Sequence, residues 1–154
     1  FFDDDVDPLS RLEGTLENIA GALTIHTGLG GNQGTRDAIY VSAAGAATGL
    51  SGSLQNGVIT GLGMPASLAY TSDEGTSLLV RLGAGDDAFR IQDLAAPVAA
   101  RIHAGPGADR LTVAGDDDRL DGISGIVAFF GEDGDDTLDV YGDGLRAGIH
   151  GRRA

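Results

Sequence analysis

The amino-acid sequence predicts an all-β fold, a right-handed parallel β-solenoid with coils of about 22 residues. Three observations point there. Gly accounts for 26 of 154 residues against a usual ~7%, while aromatics make up 5% and Trp is absent, so large side chains cannot fill a globular interior. Apolar stretches that end in Gly recur as "IHTG" (25–28), "VITG" (58–61), "VRLG" (80–83), "IHAG" (102–105) and "AFFG" (128–131), with a shorter "IHG" at 149–151. Within the repeats apolar residues alternate with polar ones, which is the period of a half-buried strand. An antiparallel β-sandwich is the alternative that turn signals every 8 to 12 residues also permit.

Taken in order, the chain opens on "FFDDDVDP", which lacks the basic and apolar parts of a secretory leader. "LSRLEGTLENIAGAL" has some helical character, but Gly14 and Gly21 interrupt it, so turn and strand are expected. "GLGGNQGTRDAIYV" keeps Asp37 ahead of a strand, with Thr35 and Arg36 in place of an acidic pair. "SAAGAATGLSGSLQNG" (42–57) reads as a loop or a thin rung that stretches one Gly-to-Gly spacing to 33 residues. In "AFRI", "RLTV" and "TLDV" the pairs Phe89/Ile91, Leu111/Val113 and Leu138/Val140 share one face, with Arg90, Thr112 and Asp139 on the other. "GDDDRLDG" (115–122) reads as an exposed turn.

A longer period overlies the short one. Leu16, Ile19 and Gly21 of "LENIAGALTIHTG" fall 104 residues before Leu120, Ile123 and Gly125 of "LDGISGIVAFFG". The chain is therefore read as one repeat-built β domain over 1–154, with short repeats near 16–41, 42–75, 76–97, 98–119, 120–144 and 145–154, and is expected to be a segment of a longer array.

Stacked coils would bring Asp87, Asp109 and Asp136 above one another, with Asp86 and Asp135 beside them. Two such charges ~5 Å apart repel by roughly 3 kcal/mol at an effective dielectric near 20. A hard divalent cation turns that repulsion into a clamp, and Ca²⁺ accepts the irregular carboxylate and carbonyl cages that Mg²⁺ resists. The candidate Ca²⁺ ligands are Asp86, Asp87, Asp109, Asp133, Asp135 and Asp136. The competing reading makes them turn residues, satisfied by backbone amides.

"LGAGDDAFR", "AGPGADRLT" and "GEDGDDTLD" resemble the Gly-Gly-x-Gly-x-Asp-x-apolar-x nonapeptide of calcium-binding RTX-type β-rolls, at Gly83, Gly85, Asp87 and Phe89, at Gly105, Gly107, Asp109 and Leu111, and at Gly131, Gly134, Asp136 and Leu138. The wider pattern, "LENIAGALTIHTG" followed by "LVRLGAGDDAFRI", is similar to the long repeats of very large bacterial surface and secreted adhesin-like proteins. The resemblance implies calcium and an extracellular or cell-surface location. The motifs here stand 22 and 27 residues apart instead of nine, so the two-sided cation cage of a β-roll does not transfer as a unit.

A net charge of −13 and a pI near 4.2 argue against nucleic acid and anionic membrane surfaces. No apolar run is long enough to span a bilayer, and without Cys there is no disulfide framework. His26, His103 and His150 each follow Ile and are expected to point outward without forming a metal row. No nucleophile elbow, phosphate loop or zinc motif is present, Lys is absent, and the acids sit in repeated turns. The expected function is a non-catalytic structural repeat of an extracellular or cell-surface adhesin or fibre. Its partners would be neighbouring repeats or copies of the same protein, and surface glycans. A carbohydrate-binding module on a β-helix scaffold is the alternative, and a polysaccharide-degrading β-helix enzyme a more distant one.

Overall fold

The computed structural model describes residues 14–27, 37–72, 75–115 and 118–142. Among them every regular element is a strand: β1 (Leu23–Thr27), β2 (Ala38–Ser42), β3 (Ser51–Gln55), β4 (Val58–Gly61), β5 (Leu68–Ser72), β6 (Ser77–Arg81), β7 (Ala88–Ile91), β8 (Ala99–His103), β9 (Arg110–Val113), β10 (Ile126–Phe130) and β11 (Thr137–Val140). The stretch before β1 forms a turn with no helix, as Gly14 and Gly21 led us to expect.

The strands make two sheets. One has seven strands in the order β1-β5-β4-β3-β7-β9-β11, the other four in the order β10-β8-β6-β2. Seven of the nine strand pairings are parallel; only β3 with β4 and β4 with β5 are antiparallel. The fold is thus all-β with mostly parallel strands, and from β6 onward each strand lies in the sheet opposite its predecessor.

Alternation sets the core. In β7 and β9 Phe89, Ile91, Leu111 and Val113 point inward and are buried, while Arg90 and Thr112 stand on the outer face. They meet Leu78, Val80, Ala100 and Ile102 from the four-stranded sheet. Short parallel strands, paired at a spacing of ~4.8 Å, let the two sheets bury their inner faces against one another.

Two sequence expectations need correction. The stretch 42–57 is a loop only in its first half: residues 43–50 form a turn, and the rest is β3, which turns back through Asn56 (φ 52°) and Gly57 (φ 71°) into β4. Positive φ at both central residues is the geometry of a tight hairpin turn, and Asn-Gly is its favoured pair. "VITG" is consequently an antiparallel strand with Gly61 opposite Gly52, and Ile59 faces the core. The second correction is one of register. Ile102 pairs with Phe129 and His103 with Phe130, so this step is 27 residues, one more than the 26 between Gly105 and Gly131. Phe129 therefore takes the inward position of Ile102, and Phe130 the outward one of His103.

Candidate functional site: a stacked aspartate turn

Four turns stand one over another on one side of the molecule: residues 43–50 between β2 and β3, 82–87 between β6 and β7, 104–109 between β8 and β9, and 131–136 between β10 and β11. Backbone hydrogen bonds tie each to the next, among them Ala84 N–H to Ala46 O (2.8 Å) and Gly107 N–H to Asp133 O (2.9 Å). The parallel sheets leave the turns no alternative, since strands paired on both sides fix what connects them.

The aspartates form a column within this stack. Asp136 Oδ1 accepts the Asp109 amide (3.1 Å), Asp109 Oδ1 accepts the Asp87 amide (2.7 Å), and Asp87 Oδ1 accepts the Leu50 amide (2.6 Å). Each carboxylate therefore satisfies an amide of the preceding turn in the stack. Asp87 Oδ2 also accepts the amide of Gly83 in its own turn (2.8 Å). Asp86, exposed beside the column, reaches the other way, its Oδ1 accepting the Ala108 amide (2.9 Å).

Glycines make the approach possible. Gly107 has φ 148°, and a Cβ there would collide with the carbonyl of Gly85; a Cβ at Gly134 would collide with the carbonyl of Gly107. Gly49, Gly85, Gly107 and Gly134 thus form a second column, in which backbone rests on backbone without side chains between.

Asp87 and Asp109 are only 2% and 1% exposed. Burial pushes both carboxyls above their ordinary range, against the pull of the amides they accept. Neighbouring carboxylates add to the rise: Asp86 acts on Asp87, and Asp87, Asp136 and Asp86 act on Asp109. At Asp109 the Gly83-type bond is missing, and Oδ2 is buried without a hydrogen-bond partner. Its counterpart glycine, Gly105, has φ 89°, whereas Gly83 lies outside the left-handed region.

The six sequence-predicted ligands separate into two sets. Asp87, Asp109 and Asp136 are brought together as the column. Asp86, Asp133 and Asp135 lie exposed along its flank. Among the described residues no three His, Asp or Glu side chains converge as a metal cluster. Among the described residues, the Oδ2 of Asp109 is the buried side-chain oxygen left without a hydrogen-bond partner. Sequence reasoning missed the amide partner Leu50 and the glycine column, since the 43–50 turn carries no Asp and its Gly49 stands 36 residues before Gly85.

Elsewhere, His26 Nδ1 bonds Thr71 Oγ1 (3.0 Å) on one sheet. His103 stacks on Phe130 and meets Glu132 (2.9 Å) on the other. The two do not form a row, and His150 lies outside the described residues, as do Asp116 and Asp117 of the acidic 115–122 stretch. In that stretch Asp118 and Asp121 are exposed and pair with Arg90 and Arg119. An open cleft of about 560 Å³, with Asn56, Tyr70, Asp93, Val98, Asp121 and Ser124 on its walls, lies at the tip of the β3–β4 hairpin. Asp93 Oδ1 is occupied there by the Asn56 amide (2.7 Å).

Comparison with protein-family models, with curated proteins and with solved structures finds no match to this chain.

Proposed function

We propose that this chain is a non-catalytic structural segment of an extracellular or cell-surface adhesin-like fibre, a right-handed β-solenoid whose coils are clasped at Gly/Asp turns and stiffened there by Ca²⁺. The observation that carries the reading is the column Asp136–Asp109–Asp87–Leu50, in which the acidic residues serve adjacent coils instead of a cleft. Parallel pairing in register from β2 through β10 supports a coil that propagates along one axis. Calcium is supported by the resemblance to RTX-type turns, by the exposed carboxylates of Asp86, Asp133 and Asp135, and by the unpartnered Oδ2 of Asp109. Neighbouring repeats or copies of the chain are the natural partners of its open ends.

The test is calorimetric Ca²⁺ titration, with thermal unfolding recorded in chelator and in millimolar Ca²⁺. Saturable binding with a raised midpoint, weakened by Asp109→Asn and Asp86→Asn together, is the expected result. Absence of binding with an unchanged midpoint would remove calcium from the reading and leave a column held by amides alone.

A further inference from the structure

The last described coil leaves the core open. Leu138 and Val140 of β11 occupy the inward register of Leu111 and Val113, yet are 51% and 54% exposed where those are buried. Together with Val127, Phe129, Leu120 and Ile123 they line an apolar hollow of about 270 Å³. Among the described strands, β10 and β11 are the edges of their two sheets at this end.

The 104-residue recurrence indicates what covers this end. Leu16 and Leu120 open the same turn, closed by Ile19 N–H to Leu16 O (3.0 Å) and by Ile123 N–H to Leu120 O (2.9 Å). All four side chains pack against the core, and each turn leads into a five-residue strand, β1 or β10. Each strand is followed by an Asp-led strand, β2 after Asp37 and β11 after Asp136. The two halves of the match lie in opposite sheets, however. β1 belongs to the seven-stranded sheet and β10 to the four-stranded one, while β2 and β11 are placed the other way round.

We infer that the open β10/β11 end is the docking face for a second copy of this repeat unit, and that successive units place their β3–β4–β5 hairpin on alternate sheets. Strand order explains why. With β3–β4–β5 counted as one visit to its sheet, the chain crosses between sheets seven times from β1 to β10, an odd number, so the next unit begins on the opposite side. One unit adds six strands to one sheet (β1, β5, β4, β3, β7, β9) and three to the other (β2, β6, β8). An array in which the surplus always fell on one side would bend without limit; alternation gives each sheet nine strands for every two units. In this arrangement β10 takes the place of β1 and pairs with β5 of the following copy. The β1–β5 register sets Thr24 opposite Ala69, and the 104-residue shift carries Thr24 to Ala128.

This inference rests on the proposed array. A tandem chain in which residues 42–154 follow Val140 directly restores the junction of 41 to 42, because "DTLDV" stands where "DAIYV" does. The protein has no cysteine, so an introduced pair reports one contact. Ala128→Cys with Ala69→Cys in the second copy is expected to cross-link under mild oxidation. Asp139→Cys with the same second-copy Ala69→Cys is expected not to. The tandem without cysteines should melt as one transition, at a midpoint several degrees above that of residues 1–154. Cross-linking through Asp139 instead of Ala128 overturns the alternation and leaves the array reading standing. A tandem with neither cross-link and the midpoint of the single chain overturns both.

Discussion

The two halves of the molecule solve one packing problem differently. From β6 to β11 the chain alternates strictly between sheets, and every turn on the aspartate side carries an Asp and a Gly column member. From β1 to β5 the chain reverses through an antiparallel hairpin, and the 43–50 turn ends the aspartate column by supplying only an amide, that of Leu50. Backbone contact at the stacked turns runs through the regular half and reaches the hairpin half at Gly49, whereas the reversal itself depends on the Asn56-Gly57 turn and on buried side chains such as Leu54, Ile59 and Leu62.

Four predictions probe that contrast. The largest effect is expected at Phe89, 1% exposed in the middle of the regular half: Phe89→Ala should cost about 3–5 kcal/mol in denaturant unfolding. A loss below about 1 kcal/mol would mean that the two halves do not share one core. Next, Gly107→Ala should cost more than Gly63→Ala. Both glycines have positive φ, a strain of order 1–3 kcal/mol for other residues, but Gly107 also abuts the Gly85 carbonyl, while Gly63 faces only the Leu50 side chain at 3.7 Å. Equal losses would deny the glycine column its role.

At Asp109, truncation to Ala strands the buried Asp87 amide and should cost about 1–3 kcal/mol, with Asp109→Asn recovering much of it through the remaining oxygen. Equal destabilisation by Ala and Asn would place the role of Asp109 in its charge. The smallest effect is on pH. Because Asp87 and Asp109 titrate above the unfolded carboxylate value, the folded chain binds their protons more tightly. The stability they contribute is full below the unfolded value and is lost as pH rises through the raised ones. In chelator the midpoint should therefore fall as pH rises from the unfolded carboxylate value through the raised ones, and the Asp87→Asn, Asp109→Asn double variant should flatten the slope. A wild-type midpoint that rises over this interval would contradict it.

Much of the regular half was legible in the sequence. Period-two alternation placed Phe89, Ile91, Leu111 and Val113 inside, and the spacing of Asp87, Asp109 and Asp136 put them in one stack. Alignment on Gly61 failed because an apolar stretch ending in Gly is common to a parallel coil and to a hairpin arm. The Asn56-Gly57 pair carried the distinguishing signal. Nor can spacing tell what a carboxylate binds: a backbone amide in the neighbouring turn leaves no mark on the residue that accepts from it. The unequal sheets escaped notice for a similar reason, since which sheet a strand joins depends on the number of preceding crossings and not on its own residues.

The aspartate column also has a direction in time. Each amide belongs to the turn synthesised first and each accepting carboxylate to the turn synthesised later, by 37 residues for Leu50 and Asp87, 22 for Asp87 and Asp109, and 27 for Asp109 and Asp136. Each of these amides thus finds its partner only once a carboxylate 22 to 37 residues downstream has been made.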